Sequence, residues 1–172
     1  MSFETLGLAP ALLRALAENN YTTPTPIQEQ AIPLILAGHD VLGGAQTGTG
    51  KTAAFALPML NRLSKVTPPA GPRKPRTLVL VPTRELAVQV ADSFKTYGRH
   101  LKLNVTTLFG GVGMQPQVEQ LRRGVDVLVA CPGRLIDHLD RGSVKLDAVE
   151  VLILDEADRM LDMGFLPAIK RV

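Results

Sequence analysis

The chain has 172 residues, 45% of them hydrophobic and 20% charged, and a formal net charge of +3. These values suit one domain with a sizeable core, lean only slightly toward an anionic partner, and exclude a disordered or low-complexity chain. The lone cysteine (Cys131) cannot close an internal disulfide, no apolar run approaches a membrane span, and the opening "MSFETLGLAP" lacks the pattern of a signal peptide, so a cytoplasmic protein away from membranes is expected.

In chain order, "PALLRALAEN" (10–19) sets Leu12, Leu13 and Leu16 at helical spacing, and "IQEQAIPLILAG" (27–38) reads as a second helix stopped by Gly38. Strand-like and helix-like runs then alternate. Short, apolar, β-rich strands are predicted at "DVLGG" (40–44), "TLVLVP" (77–82), "NVTTLFGG" (104–111), "VDVLVAC" (125–131) and "VEVLILD" (149–155). Helices are predicted at "KTAAFALPMLNRL" (51–63), "RELAVQVADSFKTYG" (84–98), "PQVEQLRR" (116–123) and "RLIDHLDRG" (134–142). The proline-rich, basic "TPPAGPRKPR" (67–76) reads as an exposed loop. Near-continuous apolar strands alternating with helices predict an α/β fold, a mostly parallel sheet covered by helices on both faces. In such a sheet ligands sit outside the C-terminal ends of the strands, so the residues there are the candidates for function.

After the first predicted strand comes "AQTGTGKT", comprising Ala45, Gln46, Thr47, Gly48, Thr49, Gly50, Lys51 and Thr52. It fits the phosphate-binding loop G-x-x-x-x-G-K-[ST] except that Ala45 replaces the first glycine. Gly48 and Gly50 let successive N–H groups point at phosphate oxygens, and the following helix adds its positive end. Lys51 reaches toward the β- and γ-phosphates, and the Thr52 hydroxyl is a Mg²⁺ ligand.

The stretch "VEVLILDEADRM" (149–160) ends a greasy strand on Asp155, Glu156 and Asp158. Asp155, on the same sheet as the phosphate loop, suits the Mg²⁺ that bridges the phosphates, held partly through water. Glu156 points differently and suits orienting or deprotonating the attacking water. His39, His100 and His138 are too dispersed for a metal cluster, and Cys131 has no nucleophile setting.

With "DEAD" at 155–158, "AQTGTGKT" at 45–52, "PTREL" at 82–86 and "YTTPTPIQ" at 21–28, the chain resembles the first RecA-like P-loop domain of the DEAD-box ATP-dependent RNA helicases. "LGL" near the start and "DEADRMLDMGF" (155–165) are most similar to the bacterial RhlE-type members. The resemblance implies ATP and ADP with Mg²⁺ as ligands. It implies Gln28 reading the adenine edge, Tyr21 stacking on the base, and Phe3 supporting that segment. An amide that both donates and accepts suits adenine's N6/N7 edge. The family usually has glycine where Asn20 stands, after a helix, at a position calling for left-handed backbone that asparagine tolerates.

The resemblance also implies an RNA surface of Pro82, Thr83, Arg84, Gly110, Gly111, Pro132, Gly133 and Arg134, reading phosphates rather than sequence. Cys131 departs from the family's threonine and removes a hydroxyl. Asp158 is implied to couple the ATP site to a "SAT" motif and to a second RecA-like domain, and the chain reaches Val172 before either. The expected organisation is therefore residues 1–38, a helical segment carrying the adenine motif, and 39–172, the ATP-binding domain. The expected function is that of the nucleotide-binding half of an RNA-dependent ATPase that unwinds short duplexes locally. The rival from another class is a pure nucleotide-binding module, favoured for the isolated chain, with the enzyme favoured for the longer parent. A DNA-directed translocase is a third reading, disfavoured by Gln28 and the literal DEAD.

Overall fold

A computed structural model describes residues 2–38, 49–65, 73–162 and 164. The predicted strand 40–44 and loop residues Ala45–Gly48 lie outside them. The chain divides into two compact units, Met1–Thr67 with Asp92–Lys102, and Pro68–Ala91 with Leu103–Val172.

The first unit is helical. A 3-10 turn at Phe3–Leu6 precedes α1 (Pro10–Glu18), α2 (Pro26–Leu36) and α3 (Thr49–Ser64). α2 packs on α3 and on the 3-10 turn, and α1 packs on α3. Leu12, Leu16, Ile32, Leu57 and Leu60 are all but fully buried here. α1 ends in a Schellman motif: the Asn20 N–H donates to the Ala17 carbonyl, and the Tyr21 N–H to that of Leu16. Asn20 has φ 61°, the left-handed geometry expected of it. The 3-10 turn was not expected from periodicity, which four residues cannot display.

The second unit holds a four-stranded parallel sheet in the order β2-β3-β1-β4, with β1 at Thr77–Leu80, β2 at Val105–Leu108, β3 at Val127–Ala130 and β4 at Val151–Leu154. α4 (Arg84–Tyr97), α5 (Met114–Arg123), α6 (Pro132–Arg141) and α7 (Ala157–Asp162) each follow one strand. Each strand lies inside the predicted run and is shorter than it. β1 and β3 are buried at every position, hence on both faces. Leu78, Leu80, Leu108, Leu128 and Ala130 form one core with Leu121, Leu135 and Met160 of the helices. β4 differs from the expectation of a strand buried on both faces. Leu152 and Leu154, which share one face of β4, are 51% and 41% exposed, so among the described residues nothing packs fully over that face.

The sheet's N-terminal edge is organised by Asp126, fully buried ahead of β3. Its Oδ2 accepts from Arg73 Nη1 (2.8 Å) and from the Asn104 N–H (2.8 Å), and its Oδ1 from Arg76 Nη2 (3.0 Å). Its carbonyl accepts from the Arg76 N–H, and its own N–H donates to Asn104. One carboxylate thus ties together the chain segments leading into β1, β2 and β3. The cluster favours register more than net stability, since buried ions are costly to desolvate. Asp126→Ala would leave Arg76, also buried, without its counter-charge; urea denaturation is expected to show a loss of about 3–5 kcal/mol, and a loss below about 1 kcal/mol would contradict this role.

Candidate nucleotide and nucleic-acid site

In the first unit, Thr25 and Gln28 form a capping box at the start of α2. The Gln28 N–H donates to Thr25 Oγ1 (3.4 Å) and the Thr25 N–H to Gln28 Oε1 (3.0 Å). The cap holds the buried Gln28 amide in one rotamer. Tyr21 follows the Schellman turn, is 44% exposed, and meets Tyr97 edge-on with ring centroids 5.8 Å apart. Burial and the neighbouring Tyr21 push the Tyr97 phenol up to about 12. Phe3 is buried in the 3-10 turn against α2, so its ring acts in packing that segment. Lys51 and Thr52 are half-buried in the first turn of α3, which begins at Thr49, two residues earlier than expected.

In the second unit, the strands end in one row. Leu108 pairs with Ala130, Ala130 with Leu80, and Leu80 with Leu154. The next residues step across the same edge: the Cys131 N–H donates to Leu108, Val81 to Ala130, and Asp155 to Leu80. At about 4.8 Å per strand, the row runs roughly 14 Å from the β2 exit to the β4 exit. It carries Phe109-Gly110-Gly111, then Cys131-Pro132-Gly133-Arg134, then Pro82-Thr83-Arg84, then Asp155-Glu156.

The basic groups gather toward β2 and β3. The exposed Arg84 guanidinium lies over the Phe109 ring, 5.1 Å from its centroid. Arg134 donates through Nη1 to the Val112 carbonyl (3.0 Å), and its Nε lies 3.7 Å from Asp137. Thr83 Oγ1 accepts from the Leu86 N–H, so that hydroxyl helps cap α4. Pro82 and Pro132 are buried. α5 and α6 start at Gly113 and Cys131 without any side-chain cap bond, leaving the positive ends of both helices at this edge. Gly111 needs its φ of 79°, which side chains rarely adopt. Gly110 and Gly133 have neither a positive φ nor any atom within 4 Å of where a Cβ would stand, so nothing in the described chain requires glycine there.

The acids stand at the β4 end. Asp155 is buried, and Glu156 has φ 53°, a left-handed conformation that costs a non-glycine residue about 1–3 kcal/mol. The Glu156 carboxylate lies 3.9 Å from Arg159 Nη1. Asp158 is exposed on α7.

Residues 25–172 match the family model described as DEAD/DEAH box helicase. The chain belongs to this family. It is 49% identical over 172 residues to the ATP-dependent RNA helicase DeaD of Mycobacterium tuberculosis (strain ATCC 25618 / H37Rv), covering 99% of this chain and 30% of that protein. It is 47% identical over 174 residues to the ATP-dependent RNA helicase RhlB of Pseudomonas aeruginosa (strain UCBPP-PA14), covering 99% and 44%. It is 44% identical over 172 residues to the ATP-dependent RNA helicase CshA of Limosilactobacillus reuteri, covering 100% and 34%. The chain therefore spans less than half the length of these helicases.

Within this DEAD/DEAH box domain, motif matching passed over Gln117 and His138, which are buried beside the glycine loop. His138 Nε2 lies 2.8 Å from Gln117 Oε1 and Nδ1 lies 2.7 Å from Ser143 Oγ. An "H" four residues after Arg134 carries no signal of this in sequence. Burial lowers the His138 pKa, and the Arg134 and Arg141 charges lower it further. Burial pushes the Cys131 thiol up to about 11, with the Glu85 carboxylate adding to it, so it is no nucleophile.

Two outcomes follow. Gly133→Ala is expected to stabilise the chain by up to about 1 kcal/mol, as alanine does in a helix, while weakening a phosphate ligand at this turn. Thermal melts with and without a single-stranded oligonucleotide separate the two effects, and unchanged ligand binding would remove the close-approach explanation. For His138, the folded value lies below the unfolded value of about 6.5, so its contribution is complete above that pH and is lost as pH falls through the folded value. The unfolding free energy should decline below pH ~6.5 less steeply in His138→Gln than in the unaltered chain; identical slopes would contradict a neutral buried imidazole.

Proposed function

We propose that the chain is the ATP- and RNA-binding first domain of a longer ATP-dependent RNA helicase, acting in the cytoplasm. The carrying observation is the single edge where the exits of β2, β3, β1 and β4 bring the FGG, CPGR, PTRE and DEA segments into one row. Basic groups and uncapped helix starts at one end suit RNA phosphates. Carboxylates at the other end suit a metal and a water. Residues 1–38 supply the adenine segment and 39–172 the RecA-like ATP-binding part.

In this reading Tyr21 stacks on adenine and Gln28 reads its edge from the rotamer set by the capping box. The loop Ala45–Thr52 cradles the phosphates, with Lys51 on the terminal ones. The Thr52 hydroxyl and the Asp155 carboxylate are hard oxygen donors of the kind Mg²⁺ takes, and they would hold it. Bound there, Mg²⁺ neutralises charge on the phosphates. Glu156 orients the attacking water and takes its proton. Pro82, Thr83, Arg84, Gly110, Gly111, Pro132, Gly133 and Arg134 bind the RNA backbone without reading sequence. Asp158, exposed on α7, meets a second RecA-like domain that brings further positive charge to the transferring phosphoryl group.

Binding and turnover are tested separately. ADP should bind more tightly than GDP by roughly 1–3 kcal/mol, and Gln28→Ala should largely erase the preference; equal affinities in calorimetry would sink the adenine assignment. Residues 1–172 should hydrolyse ATP at background with or without RNA, since a transition-state arginine alone is worth about 10³–10⁵ in rate. A longer chain with the second domain should show RNA-stimulated turnover, which Glu156→Gln abolishes without preventing ATP binding. RNA-stimulated hydrolysis by the purified 172-residue chain would show the catalytic parts misassigned, and nucleotide binding without stimulation in the longer chain would favour the pure binding module.

A further inference from the structure

The loop between β2 and α5 is held at both ends by side chains. The Gln117 Nε2 donates to the Phe109 carbonyl (3.0 Å), just before Gly110, and Arg134 Nη1 donates to the Val112 carbonyl (3.0 Å), just after Gly111. Gln117 Oε1 also accepts from Arg134 Nη1 (3.4 Å). The two clamps therefore share one amide.

That amide is oriented from behind by His138. Because Gln117 donates through its nitrogen to Phe109, its oxygen faces the imidazole, and His138 Nε2 must carry the proton it donates there. His138 Nδ1 is then the acceptor, and the Ser143 hydroxyl donates to it. Ser143 is delivered by left-handed Gly142 (φ 73°) at the end of α6, where the Ser143 N–H also closes on the His138 carbonyl. Gln117 and His138 are 6% and 0% exposed, so neither offers a surface to a ligand. The chain runs Ser143, His138, Gln117, then splits to Phe109 and to Arg134.

We infer that Gln117 and His138 are positioning residues of the RNA surface, an amide–imidazole pair that sets the Gly110–Gly111 turn and the Arg134 guanidinium as one unit. This rests on the RNA-binding reading given above. Apolar residues of similar volume would fill the same space, but they would release the Phe109 carbonyl and the shared Arg134 contact, and the glycine turn would lose its fixed geometry.

The test compares Gln117→Leu, Gln117→Glu and Arg134→Ala in the 172-residue chain. Affinity for a single-stranded oligouridylate is measured across a salt series, with amide exchange at Gly110, Gly111 and Val112, ADP affinity and melting temperature alongside. Arg134→Ala should weaken RNA binding and flatten the slope of log affinity against log salt by about 0.7, the share of one single-strand phosphate. Gln117→Leu should weaken binding about tenfold, speed exchange at the three amides, and leave the salt slope and ADP affinity unchanged. Gln117→Glu keeps the acceptor for Arg134 and His138 but not the donor to Phe109, so it should fall between the two and stays informative if the leucine variant does not fold. RNA affinity unchanged in Arg134→Ala, or absent in the unaltered chain, would overturn the RNA reading itself. Weakened binding in Arg134→Ala with unaltered affinity and exchange in the folded Gln117 variants would overturn this inference alone.

Discussion

Parallel pairing of β1 between β3 and β4 is the constraint on which the second unit depends. A parallel sheet sends every strand out at the same edge, and the register sets Leu108, Ala130, Leu80 and Leu154 level in that edge. Segments distant in sequence, 82–84, 109–111, 131–134 and 155–156, then have no choice but to be neighbours. β1 borders β4 in the order β2-β3-β1-β4, yet the Arg84 guanidinium reaches over the Phe109 ring at the β2 exit. β1 and β3 are buried at every position, so their leucines build the core, while the Asp126 cluster at the opposite edge ties the entries of β1, β2 and β3 together.

The two edges of the sheet use polar groups in opposite ways. At the N-terminal edge Asp126 is saturated: two guanidinium groups and a backbone N–H converge on it, all supplied by the second unit itself. At the C-terminal edge α5 and α6 start without a side-chain cap, and Gly110 and Gly133 face open space. One edge is closed by the chain's own charges.

Strand and helix positions were readable because continuous apolar runs alternate with helical spacing: β1–β4 and α1–α6 each fall within a residue or two of the predicted start or well inside the run, while the 3-10 turn and α7 had no predicted run. Helices α2 and α3 pass through Pro33 and Pro58, as the runs "IQEQAIPLILAG" and "KTAAFALPMLNRL" imply. Asn20 was readable because a left-handed residue after a helix has few substitutes. The clusters were not. Asp126 sits inside an apolar run, and its partners Arg73 and Arg76 lie some fifty positions away, beyond the reach of any local pattern. His138 and Gln117 are likewise joined only by the fold. The left-handed Glu156 is a further case, since glutamate has no propensity for that backbone and only the surrounding structure imposes it.

In the adenine-binding reading proposed above, Gln28 serves a local and a distant requirement together. "TPIQ" is a capping-box pattern, and the structure uses it as one. Were the amide free to rotate, fixing it on a base would cost side-chain entropy at the moment of binding. The cap removes that freedom in advance, at the start of a helix whose other face is packed on α3. Tyr21 is placed by an equally local device, the Schellman turn at Asn20, and its ring is steadied at one edge by Tyr97. Both side chains are therefore positioned by backbone motifs that fold whether or not a ligand is present. Pre-positioning of that kind raises affinity through lower ordering cost, without adding a contact. The role inferred for Gln117 and His138 in the other unit is of the same kind: buried side chains that hold Arg134 and the turn after Phe109 in place.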